Sequence, residues 1–225
     1  MRLILVGCEY AGTTTLVQAI ADWAEQTLGG KPGIHDHFKI PHLSHETLTA
    51  KEQESILALG PNLLEMFQRY HLEYHLSDAF YSDPDHYMVG LHFDEVVYAP
   101  LYFGYGEEGA YGDRRRHFGR IEHRITQEAP DTILVLVKAE PGEISRRMKA
   151  DPHENQVIQE SDIDLLLQRF EEEYGRSILS RKFILDTTTA TVDETLAEFV
   201  ENVKPHLSES DRLRMLVHHK LNGSD

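Results

Sequence analysis

The chain opens with a short apolar run and a glycine-bounded turn, Leu3-Ile4-Leu5-Val6 followed by Gly7-Cys8-Glu9-Tyr10-Ala11-Gly12-Thr13-Thr14-Thr15. An apolar stretch at helical spacing comes next, beginning Leu16-Val17-Gln18-Ala19-Ile20. This order predicts a buried strand, a tight turn and a helix. A G-x-x-x-x-G turn in that setting is typical of a loop that binds phosphate groups through its backbone.

The residue types in the turn suit an anion. Gly7 and Gly12 allow the backbone to curl so that successive N–H groups face inward, and the helix that starts near Thr13 adds the positive end of its dipole. Thr14 stands where a hydroxyl binds the Mg²⁺ that accompanies nucleotide phosphates, although a threonine here also suits a helix N-cap. We therefore predict that residues 7–15 bind phosphate groups.

One position departs from the motif, because Thr13 stands where the motif has lysine. The competing interpretation is a glycine-containing turn in some other α/β protein. We favour the phosphate loop because strand, turn, helix and hydroxyl groups all agree.

Composition limits the possible partners. The chain has 225 residues, which is enough for one domain with a full sheet, and 38 acidic against 22 basic residues give a net charge of −16. An acidic surface repels nucleic acid and anionic membranes, so neither is an expected partner. The single cysteine, Cys8, fits a reducing cytosol, and the apolar run before Glu9 is too short for a signal peptide or a membrane span. We expect a cytoplasmic protein.

Strands and helices alternate along the chain. The strands are predicted at 3–6, 33–40, 87–91, 132–137 and 182–186, and the helices at 13–28, 47–82 with a break at Gly60-Pro61, 114–129, 141–149, 161–178, 191–205 and 209–221. This alternation predicts a three-layer α/β/α sandwich with a five-stranded parallel sheet, whose ligands bind at the carboxyl ends of the strands. We expect one domain over residues 1–207 with a lid near 146–160. A C-terminal helix and tail, 208–225, either cap the core or dock a second copy in a homodimer.

The loop resembles that of the nucleoside and nucleotide kinases of the P-loop superfamily, thymidylate kinases in particular. Their G-x-[DE]-G-A-G-K-T-T matches residues 7–15 at both glycines, the acidic residue, the alanine and the threonine pair. Asp94-Glu95-Val96 is similar to the D-R-Y segment of the family, and Pro141 to Arg147 resembles its P-x-E-x-x-x-R-R helix. The resemblance covers roughly residues 1–205 and implies transfer of phosphate from ATP, with Mg²⁺, to a small-molecule acceptor.

Two cations of that family are missing here. Thr13 replaces the lysine beside the β- and γ-phosphates, and Glu95 replaces the arginine that touches phosphate. Phosphoryl transfer depends on positioning and on stabilisation of charge, so other cations must substitute or the chemistry is lost. The sequence offers Arg146, Arg147 and Lys149 near the lid, together with Lys138 and the cluster of Arg114, Arg115 and Arg116.

Five residues are predicted to carry catalysis. Asp94 would hold Mg²⁺ through water or accept the proton of the acceptor hydroxyl, with Asp36 as the second candidate base. Glu9 would point toward the acceptor, and Arg146 and Arg147 would bind phosphate. The alternatives are a solvated carboxylate at the strand end for Asp94, a surface position for Glu9, and surface pairing of the two arginines with the acidic lid segment.

Other functions stay open at this stage. A degenerate kinase fold could bind nucleotide or a partner as a regulator, and a sulfotransferase-like protein also carries a phosphate loop. Zinc binding by His35, His37, His42 and His45, or by His71 with His75, lacks an established motif. The tyrosine-rich segment 98–111 would either stack on a base or form a packed loop.

Overall fold

A computed structural model describes residues 1–36, 48–77, 81–153 and 156–222. Its five strands are β1 Arg2–Val6, β2 Gly33–Asp36, β3 His86–Val89, β4 Ile133–Lys138 and β5 Lys182–Asp186. They form one parallel sheet in the order β2-β3-β1-β4-β5. The predicted α/β fold with a five-stranded parallel sheet is confirmed. Residues 37–40 of the predicted second strand lie outside the described residues.

Helices connect the strands along the chain. They are α1 Thr13–Leu28, α2 Ala50–Leu57, α3 Pro61–His75, α4 His92–Tyr98, α5 Arg114–Glu128, α6 Pro141–Ala150, α7 Ile163–Arg176, α8 Val192–Val203 and α9 Glu209–Asn222. A π-helical turn, Ala99–Phe103, and two 3₁₀ turns, Glu160–Asp162 and Lys204–His206, complete the described elements.

The core lies around the central strands. Leu5, Val135 and Val137 are completely buried, and Ile20 and Ala24 of α1 pack in the same core. A parallel sheet covered by helices buries both faces of its strands, which is why β1 and β4 are continuous apolar runs.

Local sequence signals set the helix boundaries. Gly29 has a positive φ of 77° and ends α1, while Pro61 stands at the first position of α3, where its missing N–H costs nothing. Thr191 and Glu194 form the predicted capping box at the start of α8. The helical pattern predicted over 47–82 is two helices, and the break predicted at Gly60-Pro61 is confirmed; residue 47 and residues 78–80 lie outside the described part.

The tyrosine-rich segment is largely packed. Tyr98 and Tyr105 are buried, and the Tyr102 hydroxyl donates a hydrogen bond to Asp162 at 2.8 Å. Tyr111 is exposed. These contacts favour the packed loop over a surface that stacks on a base.

The closing helix α9 lies against α1. Arg214 bonds both carboxylate oxygens of Asp85, at 2.9 and 2.6 Å, and also reaches the carbonyl oxygen of Leu28. The outer side of α9 exposes Leu213, Leu216, Val217 and Leu221. No helix among the described residues combines the length and the apolar character that crossing a bilayer requires.

The order of the strands creates a crevice. From β1 the chain reaches the edge strand β2, returns to β3 beside β1, and then crosses to β4 on the other side of β1. Ligands of open parallel sheets bind at such a reversal of direction, outside the carboxyl ends of the strands. The loop after β1 and the helix start after β3 both lie there.

Candidate active site

A cleft of about 610 Å³ opens at the carboxyl ends of the central strands. It brings together all five residues predicted to be catalytic, Glu9, Asp36, Asp94, Arg146 and Arg147. Most of the predicted phosphate loop also lines it, namely Gly7, Glu9, Tyr10, Gly12, Thr13, Thr14 and Thr15. Cys8 and Ala11 are completely buried and do not line this cleft.

The loop has the backbone geometry of an anion-binding turn. A Cβ at Gly7 would overlap the carbonyl oxygen of Val137, so only glycine fits where the loop passes β4. Tyr10 and Gly12 have positive φ values of 69° and 95°. The first bond of α1 runs from the Leu16 N–H to the Gly12 carbonyl at 3.0 Å. The amides of residues 13–15 are therefore the unbonded donors of the first helical turn, at the positive end of the helix.

Two other loop amides are bonded within the protein. The Glu9 N–H donates to the Tyr98 hydroxyl at 2.9 Å, and the Ala11 N–H donates to the carbonyl of Cys8 at 2.9 Å. These two amides are therefore engaged within the protein, and the unbonded amides of the predicted phosphate loop lie at the start of α1.

Arg147 fastens a positive charge to this loop. Its Nη1 donates to the carbonyl of Tyr10 at 3.0 Å and to the Thr187 hydroxyl at 3.1 Å, while Nη2 donates to the carbonyl of Thr187 at 2.6 Å. Nε bonds Glu143 at 2.7 Å, and a Cβ built on Gly12 would lie 3.7 Å from Nη1. The side chain is about one quarter exposed, and its guanidinium group lies beside the loop.

The other candidate substitutes for the missing lysine differ in position. Arg146 also lines the cleft but is mostly exposed and pairs with Glu143. Lys149 pairs with Glu160 and lies outside the cleft lining. Lys138 pairs with Glu171 at 2.8 Å and lines a separate cavity of about 370 Å³.

Asp94 lies in the first turn of α4, directly after β3. Its carboxylate packs over Gly90, where a Cβ would overlap Oδ2, so glycine makes room for this side chain. Oδ1 is buried and has no hydrogen-bond partner among the described residues. Burial, followed by the nearby charges of Asp36, Glu95 and Glu9, raises the pKa of Asp94 well above that of an ordinary carboxyl group.

Asp36 stands at the adjacent strand end. It is the last residue of β2 and pairs with Val89, the last residue of β3. Its charge is the largest electrostatic cause of the raised pKa of Asp94. The two carboxylates therefore share one end of the cleft, as the parallel-sheet rule predicts.

Glu9 and Tyr10 contact the segment that the sequence predicts to be a lid, which is called the lid segment below. The Glu9 carboxylate accepts hydrogen bonds from the amides of Val157 and Ile158, at 3.1 and 3.3 Å, and contacts Nδ1 of His153 at 2.9 Å. The ring of Tyr10 stacks on that of His153 with centroids 4.1 Å apart. Glu9 lines the cleft, but its carboxylate faces the lid segment rather than open space.

Glu95 is turned away from the cleft, which the sequence did not reveal. Its carboxylate bonds Nε of Arg114 at 2.6 Å and accepts the Tyr105 hydroxyl, and Arg114 also bonds Glu65 at 2.8 Å. All three charged groups are at least 98 % buried. Glu95 is therefore a neutralised core residue, and Arg114, predicted as a candidate phosphate ligand, is enclosed in the same cluster.

The donor set fits magnesium better than zinc. The exposed Thr14 hydroxyl faces the cleft, and the orphaned Asp94 Oδ1 is the kind of hard oxygen that Mg²⁺ prefers. Within the four described ranges, no three His, Cys, Asp or Glu side chains are grouped to bind a metal. The rings of His71 and His75 meet edge to face with centroids 4.2 Å apart, whereas His37, His42 and His45 lie outside the described residues.

Comparisons with solved structures bear on the fold. The YorR protein of Bacillus subtilis, solved in complex with phosphorylated GDP, is 18 % identical with a TM-score of 0.56, over 92 % of this chain and 99 % of that one. A deoxyadenosine kinase from M. mycoides with bound dCTP is 16 % identical, with a TM-score of 0.56 over 91 % and 100 % of the two chains. The thymidylate kinase of Ehrlichia chaffeensis is 12 % identical, with a TM-score of 0.53 over 89 % and 97 %. The sequence matches no protein-family model and no curated protein.

These likenesses show a P-loop kinase-like fold over nearly the whole chain. At this level of identity they establish the fold and leave the chemistry to the residues of the cleft.

Proposed function

We propose that this protein is an ATP- and Mg²⁺-dependent phosphotransferase that acts on a small acceptor. The observation that carries the proposal is one cleft that brings together the amides that begin α1, the guanidinium group of Arg147 and the carboxylate of Asp94, whose Oδ1 is buried. An anion cradle, a fixed cation and a proton acceptor are the parts that phosphoryl transfer requires.

The donor phosphates would lie against the amides of residues 13–15. Arg147, assisted by Arg146, would supply the positive charge that Thr13 lacks. The Thr14 hydroxyl would hold Mg²⁺, which neutralises charge on the phosphates when bound. A deoxyadenosine kinase of similar fold was solved with bound dATP and with bound dCTP, which supports the proposal of a nucleotide site in this protein.

The acceptor would enter beside the two carboxylates. Asp94 would take the proton from the acceptor hydroxyl, because its raised pKa makes it a stronger base than an ordinary carboxylate. Asp36 is the second candidate for that role. Glu9 and Tyr10 would keep the lid segment over the reacting groups through His153, Val157 and Ile158.

Nucleotide binding is tested by thermal unfolding with ATP in the presence and absence of Mg²⁺. A site at 100 times its dissociation constant stabilises the folded state by about 2.7 kcal/mol. We expect that stabilisation with ATP and Mg²⁺, and a smaller one with ATP alone. Absence of any stabilisation at millimolar ATP would contradict the proposal.

Restoring the missing ammonium group is a sharper test. Thr13→Lys should tighten binding of ATP with Mg²⁺ about tenfold, because a lysine at this position reaches the phosphates. Thr13→Met, which adds similar length without charge, should leave the affinity within about threefold of the original. Binding of ATP without turnover of any acceptor would instead support a catalytically inactive nucleotide-binding protein.

A further inference from the structure

Helix α9 presents two different faces. Its inner face packs on the C-terminal end of α1, where Arg214 donates to the carbonyl of Leu28 at 3.3 Å and His218 lies against Gly29. Its outer face exposes between 47 and 78 % of each of four apolar residues, Leu213, Leu216, Val217 and Leu221. We call these four residues the α9 stripe. Contiguous apolar residues on the surface of a folded protein are typical of an interaction site.

Two charged residues stand at the ends of the same outer face. Glu209 precedes Leu213 by four positions, and Lys220 follows Leu216 by four positions, which is about one turn of helix in each case. Both charged side chains are exposed, and within the part of the chain that the structure describes neither bonds another side chain. The outer face of α9 therefore has an apolar centre, an available negative charge at one end and an available positive charge at the other.

This arrangement is self-complementary. The order Glu-x-x-x-Leu-x-x-Leu-x-x-x-Lys over residues 209–220 reads the same backward, except that the two charges exchange places. When two copies of α9 pack antiparallel about a two-fold axis between residues 214 and 215, Leu213 meets Leu216 of the partner subunit. In the same arrangement Glu209 meets Lys220 of the partner subunit, and each contact occurs twice, as an interface between identical surfaces requires. A parallel pair of helices would instead place like charges side by side.

The exposed area is close to what a dimer needs. Stable interfaces bury at least about 600 Å² on each partner, and the α9 stripe exposes on the order of 500 Å². The aliphatic stems of Glu209 and Lys220 add to this area. The outer face of α9 is therefore large enough to hold a second copy of the chain.

A second apolar surface, on α3, lacks this pattern. Its exposed residues are Leu63, Met66 and Tyr70. The charged residues of α3 are already paired within the chain, since Arg69 pairs with Glu65. Glu73 likewise pairs with Arg124. Helix α3 therefore offers apolar contact without available charges that would orient a second copy.

We propose that the protein forms a homodimer in which two copies of α9 pack antiparallel through the α9 stripe. The apolar residues supply the buried area, and the two pairs of Glu209 with Lys220 fix the relative direction of the helices. This interface lies at the C-terminal end of α1, whereas the phosphate loop precedes the N-terminal end of that helix, about 24 Å away. The interface leaves the cleft untouched, so the inference stands apart from the proposed phosphotransferase function.

Sedimentation equilibrium over about 1–100 µM protein tests the dimer, because its population depends on concentration. We expect a dimer in this range. Leu216→Glu places a carboxylate among apolar residues in both copies, so it should raise the dissociation constant of the dimer about 100-fold or more. Leu63→Glu is the matched control, because Leu63 on α3 is 58 % exposed and Leu216 is 60 % exposed. It should leave the dissociation constant within about twofold of the original.

Exchange of the charges tests the antiparallel arrangement without removing an apolar contact. Glu209→Lys and Lys220→Glu should each raise the dissociation constant at least about fivefold, because each variant turns two attractions into repulsions. Combining both substitutions in one chain restores both pairs and should return the dissociation constant to within about twofold of the original. Mixing the two single variants should produce a heterodimer that is tighter than either homodimer.

Three results would overturn the proposal. A monomer at every concentration would exclude the dimer, and a dimer that Leu63→Glu dissociates but Leu216→Glu does not would put the interface on α3. Single charge variants that associate as tightly as the original would contradict the antiparallel pairing. Far-UV circular dichroism checks that each variant is folded, and the charge-exchange series decides alone if Leu216→Glu loses helix.

Discussion

Arg147 is the residue on which the charge balance of the proposed phosphate site depends. Thr13 leaves the loop without a cation of its own, and Arg147 brings one from α6 through its bonds to Tyr10 and Thr187. A hydrogen bond to a charged group contributes about 1.5–3 kcal/mol. We expect Arg147→Ala to weaken binding of ATP with Mg²⁺ by roughly 10- to 100-fold, as measured by calorimetry.

Arg146→Ala is the matched control for that prediction. Arg146 is two-thirds exposed and bonds only Glu143 among the described residues, so removing it should change the free energy of unfolding by less than about 1 kcal/mol. It should also cost less ATP affinity than Arg147→Ala. Equal losses of ATP affinity in the two variants would show that Arg147 contributes no more to ATP binding than Arg146 does.

The proximity of the Asp94 and Asp36 carboxylates leads to a prediction about the pH dependence of turnover. A general base works in its deprotonated form, so kcat/KM should rise with pH through the pKa of the base. The charge of Asp36 helps to raise the pKa of Asp94, and Asp36→Asn removes that contribution. If Asp94 is the base, the acidic limb of the pH profile should shift to lower pH in this variant, and turnover should persist.

Loss of turnover in Asp36→Asn at every pH would instead identify Asp36 as the base. Asp151→Asn is the control, because Asp151 also lines the cleft but is not among the charges that raise the pKa of Asp94. The pH profile of kcat/KM in Asp151→Asn should not shift.

At the scale of the elements, α4 and α5 are joined by a buried ionic cluster. Arg114 bonds Glu95 and Glu65, and its guanidinium carbon lies 4.7 Å above the ring of Tyr105. Removing one partner of a buried ion pair leaves the other charge buried without compensation, which lowers the free energy of unfolding by about 3–5 kcal/mol. We expect losses of that size in the free energy of unfolding for Glu95→Leu and for Arg114→Leu, measured by urea denaturation.

The double variant shows whether the single variants lose stability through an uncompensated buried charge or through lost packing. Glu95→Leu with Arg114→Leu should be less destabilised than the sum of the single variants, because no charge is left uncompensated on that side of the cluster. Arg124→Ala, which removes a more exposed pair with Glu73 and Glu128, should cost less than about 1 kcal/mol. Strictly additive losses in the double variant would contradict the coupling.

Sequence reasoning worked where the signal is local or follows from topology. Periodicity found the strands and helices, and the rule for parallel sheets predicted that Asp36, Asp94 and the loop would converge. Pairings between distant residues carry no such signal. The orientation of the Glu95 carboxylate depends on Arg114, 19 residues away in the chain. That of the Glu9 carboxylate depends on amides almost 150 residues away. From sequence alone, Glu95 is therefore placed in the cleft and Glu9 is expected to point toward the acceptor, whereas the structure gives both carboxylates other partners.

At the scale of the whole molecule, hydrogen bonds join the loop after β1 to the segment before α7. The Glu9 carboxylate accepts the amides of Val157 and Ile158, while the Tyr10 hydroxyl accepts the amide of His153 and donates to Gln156. Phosphates bound at the loop would therefore act on the lid segment through two consecutive residues. Because loops open locally with their own free energies, this coupling is measurable in the absence of turnover.

Glu9→Gln tests that coupling by hydrogen exchange. The variant replaces a charged acceptor of two amides with a neutral group that has one acceptor oxygen, so the protection of Val157 and Ile158 should fall by about tenfold or more. ATP with Mg²⁺ should increase protection of these amides in the original protein and do so less in the variant. Glu25→Gln, at an exposed position on α1, is the control and should leave both amides unchanged. Unchanged exchange in Glu9→Gln would mean that the lid segment is held by Tyr10 and its own packing, and Glu9 would then be free to face the acceptor as the sequence predicts.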